Sequence, residues 1–174
     1  RMEFTLDDVD MRDLIREAQV ANANIGERFG ISLEAIGLDD PLPLRTDPNR
    51  VIQVLNNLVS NACKFSKAGD TVAIRVRDEG DSLRISVRDQ GQGIPLQDQH
   101  KIFEKFADLA NSSRTTKGGT GLGLSICKAI VQSLGGTIGF TSVEGVGTTF
   151  FFNLPKLEAI SSEASNEPKL RVAS

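Results

Sequence analysis

The chain has 174 residues, of which 39% are hydrophobic, so it can form one globular domain with a proper core. Its formal net charge is −3 and its pI is about 5.2, which gives a general nucleic-acid-binding role no electrostatic support. No apolar run reaches the length of a membrane span, and the first residues lack a signal-peptide pattern.

The first half of the chain predicts helices and strands from its hydrophobic periodicity and turn residues. In chain order these are a strand over 4–6, a helix over 7–29, a strand over 31–36, an extended segment over 41–46, and a helix from 47–48 to the break at 68–70. The first helix has Val9, Leu14, Ile15 and Ala18 as apolar anchors. Either Thr46 or Asp47 can cap the second helix, with Pro48 in its first turn.

The second half predicts two hairpins with a long polar segment between them. The expected elements are strands over 71–77 and 82–89, a polar segment over 90–120, a helix over 122–134, and strands over 137–142 and 148–154. The last helix presents Leu122, Ile126, Ala129 and Ile130 on one face. This order predicts an α+β fold, a two-layer sandwich with helices on one face of a mixed, mostly antiparallel sheet.

The ends of the chain and its cysteines complete this outline. The chain begins abruptly, as if cut from something longer, and residues 157–174 are expected to be a flexible tail or linker after a domain over 1–156. Two cysteines and one histidine cannot make a usual structural metal site. We therefore expect Cys63 and Cys127 to be free thiols in the core, in a reducing compartment.

A polar stripe runs along the helix that begins near residue 47. Asn57, Asn61 and Lys64 lie at i, i+4 and i+7, within a narrow arc of the helix, and Gln53 extends the stripe. The apolar positions of the same helix are Val51, Val54, Leu55, Leu58, Ala62 and Phe65. The stripe therefore flanks the core, where a phosphate–metal group would supply partners for it. A solvated helix face is the alternative interpretation.

Two strand-borne polar side chains point toward the core. Asp89 continues the phase of the apolar residues in the strand over 82–89, just before the turn that contains Gly91 and Gly93. Thr148 is in phase with the apolar residues of the last strand. A buried carboxylate needs a hydrogen-bond donor, and the exocyclic amine of a purine is one candidate. Asp89 and Thr148 could then bind the same edge of that ligand. Capping of the turn by Asp89 is the alternative.

Residues 118–124 form a glycine cluster that leads directly into a helix. Glycines allow close backbone approach, and a helix start offers unpaired N–H groups and a favourable dipole to phosphate. The pattern differs from the Walker motif and from GxGxxG after a strand, and simple hinges are the alternative. Arg114 and Lys117 in the preceding loop can meet phosphates, although a solvated charge run would have the same sequence.

Together these motifs resemble the catalytic, ATP-binding domain of sensor histidine kinases in the GHKL superfamily, over residues 7–155. The five matching segments are the N box at 47–66, the G1 box at 89–95, the F box at 102–106, the G2 box at 118–124 and the closing glycine motif at 145–150. The resemblance implies ATP and Mg²⁺ as cofactors, and residues 95–118 as a mobile ATP lid.

The resemblance also implies a role for each motif. Asp89 would accept the adenine amine, with support from Thr148, and Phe65 would pack against the adenine ring. Asn61 would hold the metal and phosphate oxygens, and with Lys64 would be catalytic. The remaining nucleotide contacts would come from Asn57, Gly91, Gly93, Ile94, Arg114, Lys117, Gly119, Thr120, Gly121, Leu122 and Gly123.

One position separates the subfamilies. The related GHKL ATPases carry a glutamate one turn before the N-box asparagine, where it activates water. Here that position is Asn57, which cannot act as a base at neutral pH. A neutral imidazole already has a lone pair, so Asn57 favours phosphoryl transfer to histidine over hydrolysis.

The resemblance implies partners that this chain lacks. Its only histidine, His100, lies in the lid without the residues of the acceptor motif, and an exposed position is expected for it. The acceptor would lie on a separate helical dimerisation domain, and a response regulator receiver domain would act downstream. The location would be cytoplasmic, or the cytosolic part of a membrane-anchored sensor. A regulatory nucleotide-binding module and a slow ATPase are the competing hypotheses.

Overall fold

Strands and helices follow one another in the computed structural model, which describes residues 3–104 and 123–156. In chain order these elements are β1 (Asp7–Asp10), α1 (Met11–Phe29), β2 (Ser32–Ile36), β3 (Pro43–Thr46), α2 (Pro48–Phe65), β4 (Thr71–Asp78), β5 (Ser82–Arg88), α3 (Leu96–Gln99), α4 (Gly123–Ser133), β6 (Thr137–Val143) and β7 (Gly147–Pro155).

The main sheet has five strands in the order β2-β4-β5-β7-β6, and β1 pairs with β3 in a separate ribbon. The β2–β4 pair is parallel and the other neighbours in the main sheet are antiparallel. Alternate residues of β5 and β7 are buried, and α1, α2 and α4 pack on that face. The predicted two-layer α+β sandwich is therefore confirmed.

Helix α2 lies at the centre of the helical layer, between α1 and α4. It begins where expected, because Asp47 is its N-cap: the Oδ1 atom accepts a hydrogen bond from the Arg50 amide at 3.1 Å, and Pro48 follows. The predicted apolar stripe is buried at Val51, Val54, Leu55, Leu58, Ala62 and Phe65. Burial of this stripe fixes the rotation of α2 and so places its polar residues at the edge of the core.

The predicted positions of the first strand and of the start of the first helix are wrong. The first strand is β1 at Asp7–Asp10, which pairs with β3, and the helix begins at Met11. Asp10 ends the strand and caps the helix: its Oδ1 accepts from the amides of Arg12 at 3.0 Å and Leu42 at 3.2 Å. The Arg12 side chain also donates to this carboxylate, which holds the pKa of Asp10 below its usual value. Strand pairing therefore overrides the helical periodicity before Met11.

The core-facing side of α4 agrees with the predicted face only in part, since Ile130 is buried and Ile126 packs against the core as predicted. Cys127, Ile130 and Val131 are buried, whereas Ala129 is exposed. Packing against α2, β6 and β7 selects Ile130 and Val131, three and four residues after Cys127. Leu134, just after the helix, also packs against the core. Predicted position Leu122 lies outside the described residues.

Both cysteines are free and buried, as predicted. Burial raises the pKa of Cys63 to about 11 and that of Cys127 to about 12, so both remain thiols at neutral pH.

Within residues 3–104 and 123–156, no helix combines the length and the apolar character needed to cross a membrane.

The cap of α2 generates a stability prediction. Asp47 also accepts a hydrogen bond from the Thr5 amide at 2.8 Å, so one side chain joins the N-terminal segment to the helix. Asp47→Ala should lower the free energy of unfolding in urea by about 1–2 kcal/mol, because it removes both bonds. Asp47→Asn keeps an oxygen for the cap and should cost less. Asp39→Ala, in the exposed loop after β2, should change stability by less than about 0.5 kcal/mol. Equal losses for Asp47→Ala and Asp39→Ala would contradict this role.

Candidate nucleotide site

The polar stripe of α2 lies at the edge of the helical layer. Asn57, Asn61 and Lys64 are half-buried, and the Asn61 Nδ2 atom donates to Asn57 Oδ1 at 3.3 Å. Because this bond uses the amide nitrogen of Asn61, the Oδ1 atom of Asn61 remains as an acceptor. Gln53 does not join this pair. It is exposed and accepts a hydrogen bond from Arg50 at 3.2 Å, so the predicted extension of the stripe belongs to the solvated surface.

Asn57 meets the first turn of α4. A Cβ atom built on Gly123 would overlap the Asn57 side chain, lying about 2.9 Å from its Oδ1 and closer still to its Nδ2. Glycine at this position therefore allows α2 and α4 to approach each other. The first described turn of α4 lies beside the polar stripe as a result, and the start of a helix favours an anion.

Asp89 follows the last residue of β5, and its side chain is buried, with 2% of its surface exposed. Its Oδ1 accepts hydrogen bonds from the amides of Gly91 at 3.0 Å and Thr148 at 3.1 Å. Its own amide donates to the Thr148 carbonyl at 2.8 Å. The carboxylate therefore caps the turn and also joins β5 to β7. The capping role that the sequence left open is therefore observed, and the carboxylate is buried as the strand phase predicts.

The glycine turn after Asp89 is tightly enclosed. A Cβ atom on Gly91 would overlap the carbonyl oxygen of Phe65 at the end of α2. Gly93 has φ of +74°, and a Cβ atom there would overlap the Val143 carbonyl oxygen. The turn therefore fills the space between α2 and the β6–β7 hairpin. This contact links the polar stripe to Asp89, since Phe65 lies one turn after Asn61.

Ser142 is a site residue that the sequence analysis missed. Its hydroxyl accepts a hydrogen bond from the Ile94 amide at 2.8 Å and shares one with the Thr148 hydroxyl at 2.8 Å. Ser142 also lies 3.3 Å from the Gly147 carbonyl oxygen, to which it can donate. The missed signal was the register of the last hairpin, in which Ser142 lies directly opposite Thr148.

Asp89, Thr148 and Ser142 line one pocket of about 250 Å³ at the ends of β5, β6 and β7. The prediction that Asp89 and Thr148 lie together is confirmed, because strand phase places both side chains at the same edge of the core. Ile94 is also buried, beside Ser142.

The segment after the glycine turn is described only to residue 104. Phe103, in the F box at 102–106, packs against Phe140 and Phe150, with ring centroids 5.8 and 6.3 Å apart, and so anchors the described end of this segment. His100 is exposed at the end of α3, as predicted. The other predicted site residues lie outside the described residues: Arg114, Lys117, Gly119, Thr120, Gly121 and Leu122.

Comparison with known proteins identifies the family. Residues 46–158 match the family model described as histidine kinase-, DNA gyrase B-, and HSP90-like ATPase. The sensor protein GacS of Pseudomonas syringae pv. syringae is 38% identical over 175 residues, which is 95% of this chain and 19% of GacS. The chain thus spans about a fifth of the length of this relative.

Solved structures show the same fold. The catalytic domain of histidine kinase ThkA matches with a TM-score of 0.75 and 34% identity, over 89% of this chain and 97% of that domain. Full-length ShkA in complex with AMPPNP matches with a TM-score of 0.76 and 31% identity, over 89% of this chain and 32% of ShkA. ThkA in complex with the response regulator TrrA matches with a TM-score of 0.71 and 30% identity, over 87% of this chain and 42% of ThkA.

The chain therefore belongs to the histidine kinase-, DNA gyrase B-, and HSP90-like ATPase family, and it is a domain of the sensor histidine kinase type. The predicted resemblance is confirmed.

The position of Ser142 generates a prediction about local stability. Ser142→Ala removes the acceptor of the Ile94 amide and one partner of the Thr148 hydroxyl. Hydrogen exchange at the Ile94 amide should become about fivefold faster or more, which corresponds to the loss of roughly 1 kcal/mol in local opening. Ser142→Thr keeps a hydroxyl and should largely restore protection. Thr141→Ala, on the exposed neighbour, is the matched control, and equal acceleration in that variant would contradict the assignment.

Proposed function

We propose that this domain binds ATP with the adenine ring in the pocket beside Asp89 and transfers the γ-phosphoryl group to a histidine of a separate domain. Two backbone N–H groups hold the Asp89 carboxylate in place, so it can accept from the adenine amine with little reorganisation. Thr148, supported by Ser142, would bind the same edge through ordered water. The AMPPNP complex of the similar protein ShkA supports ATP as the nucleotide.

The ring would be held by the surfaces around the glycine turn. Phe65 would pack against the adenine, and Gly91 and Gly93 would let the backbone approach it closely. Ile94, which is buried next to the Asp89 pocket, would complete the apolar wall. Binding of this kind combines an apolar enclosure with a few fixed polar groups, which is typical of cofactor sites.

The phosphates would lie where α2 meets the start of α4. There the backbone amides of Gly119, Thr120, Gly121, Leu122 and Gly123 would cradle them at a helix N-terminus. Lys64 on α2, with Arg114 and Lys117 from the lid, would add positive charge around the γ-phosphate. The contact of Gly123 with Asn57 supports this placement, because it brings the amide pair of α2 to the same point.

The donor set of α2 fits Mg²⁺ as a nucleotide-bound ion. Asn61 offers its Oδ1 atom, and a hard oxygen is the ligand that Mg²⁺ prefers. The described residues contain no cluster of three or more His, Cys, Asp or Glu side chains suited to a metal, so phosphate and water oxygens would complete the coordination. When bound, the ion would neutralise charge that develops on the phosphates.

The asparagine at position 57 is the observation that favours phosphoryl transfer to histidine over hydrolysis. The Asn57 side chain lies against the first residue of α4 and bonds to Asn61, one turn later on α2. A general base that activates water would have to occupy this position. An amide cannot take up a proton at neutral pH. A histidine acceptor brings its own lone pair, so Asn57 and Asn61 need only position the phosphoryl group, with Lys64 stabilising its charge.

The partners follow from this reaction. The acceptor would be a histidine on a helical dimerisation domain that this chain does not contain, and a response regulator would receive the phosphoryl group next. The complex of the similar kinase ThkA with TrrA supports the second partner. The domain would work in the cytoplasm, where ATP is available, either alone or as the cytosolic part of a membrane-anchored sensor. We assign it residues 1–156, with residues 157–174 as a tail or linker.

Phosphotransfer in trans tests this proposal. Radiolabelled ATP with the chain and a separately purified acceptor domain should label the acceptor, and Asn61→Ala should lower the rate by about 100-fold or more. His100→Ala should leave the rate unchanged, since that side chain is exposed just after α3. A parallel nucleotide titration separates loss of transfer from loss of binding.

Two results would contradict the proposal. Label on His100 of the chain alone would show that no separate acceptor is required. Fast release of phosphate without any acceptor would show that Asn57 does not prevent hydrolysis and would favour an ATPase.

A further inference from the structure

The solvent side of the main sheet carries a concentration of arginines. Four of them project from β4 and β5 on the side opposite the helices, and we call this surface the arginine face: Arg75, Arg77, Arg84 and Arg88. Within residues 3–104 and 123–156, the acidic side chains of the same side are Glu34 on β2 and Glu79 in the β4–β5 turn. This surface is therefore positive although the whole chain has a net charge of −3.

Strand register places these arginines against one another. Arg77 lies directly opposite Arg84, and Arg88 is a diagonal neighbour of Arg75, which lies opposite Ser86. Like charges at such positions destabilise a sheet. Among the described residues only Arg84 of the four has an acidic partner, Glu79, at 3.8 Å. Because the arginines repel one another in the folded chain, a negatively charged ligand that binds between them would relieve the repulsion.

The arginine face also has the shape and chemistry of a recognition surface. It borders an open groove of about 550 Å³ that is lined by hydroxyls from Ser86, Thr141 and Thr149 and by the Phe151 ring. The guanidinium of Arg84 lies over that ring, 3.7 Å from its centroid, so its orientation is fixed. Planar guanidinium forks beside hydroxyl donors suit carboxylates, and arginine with an aromatic ring is typical of the centre of protein interfaces.

We propose that the arginine face docks an acidic segment of another protein, with carboxylates that bind Arg75, Arg77 and Arg88. The sheet separates Arg75, Arg77 and Arg84 from α2 and its asparagines, whereas Arg88 lies at a rim shared with the pocket beside Asp89. Charge complementarity favours a peptide over nucleic acid. The net charge of −3 repels an extended polyanion such as nucleic acid, whereas a short acidic segment can contact the arginine face alone.

A binding measurement with a defined probe tests the proposal. The probe is a fluorescent peptide of alternating glutamate and serine, about ten residues long so that it spans the strands, at about 0.05 M salt. The paired change Arg75→Gln with Arg77→Gln should weaken binding about tenfold or more. The matched control is Arg16→Gln with Arg28→Gln on α1, which removes the same charge elsewhere and should weaken binding less than about twofold. Peptide binding should also shift amide resonances of β4 and β5 and not those of α1.

Three results would overturn the proposal. Equal weakening in both variants would show a general charge effect. Duplex DNA or anionic vesicles that bind through the same two arginines, when the peptide does not, would show that the partner class is wrong. Tighter peptide binding after neutralisation of the tail with Glu158→Gln, Glu163→Gln and Glu167→Gln would show that the chain's own tail occupies the face.

A second variant keeps the test decisive if the glutamine pair does not fold in thermal unfolding. Arg75→Lys with Arg77→Lys retains the charge but loses the planar forks, and it should bind the peptide several-fold more weakly than the unmodified chain. Equal affinity would overturn the assignment of carboxylate recognition to these arginines.

Discussion

The burial of one face of α2 between α1, α4 and the sheet is the constraint on which the site depends. Because the apolar positions of α2 can face the core in only one rotation, Asn57 and Asn61 must lie at the edge where α4 begins. The same burial carries Phe65 to the glycine turn after β5, where only Gly91 fits against its carbonyl. One packing interaction therefore fixes the geometry of two motifs that lie far apart in sequence.

The second essential feature is a polar cluster at the end of the sheet. A buried carboxylate is costly unless it is hydrogen-bonded, and Asp89 meets this requirement with backbone amides on two different elements. Ser142 and Thr148 extend the cluster to the amide of Ile94. Because most of these partners are backbone groups or residues in regular strands, the carboxylate is oriented by the fold itself. Preorganisation of this kind favours selective recognition of a ligand edge.

Much of this arrangement could be predicted from the sequence, because strong periodicity and glycine motifs identify elements locally. The phase of β5 and β7 placed Asp89 and Thr148 on one face, and the helical stripe placed Asn57 beside Asn61. The sequence did not predict β1, since its four residues gain their stability from pairing with β3. It also missed Ser142, whose importance depends on a cross-strand register that local patterns do not specify.

Paired nucleotide titrations show whether Asp89 recognises the exocyclic amine of adenine. The chain should bind ATP about tenfold or more tightly than purine riboside triphosphate, which lacks that amine, because a mismatched buried hydrogen bond costs about 1–3 kcal/mol. In Asp89→Asn the affinity for ATP should fall and the preference between the two nucleotides should disappear. Equal affinity of the unmodified chain for both nucleotides, or an unchanged preference in Asp89→Asn, would contradict the account.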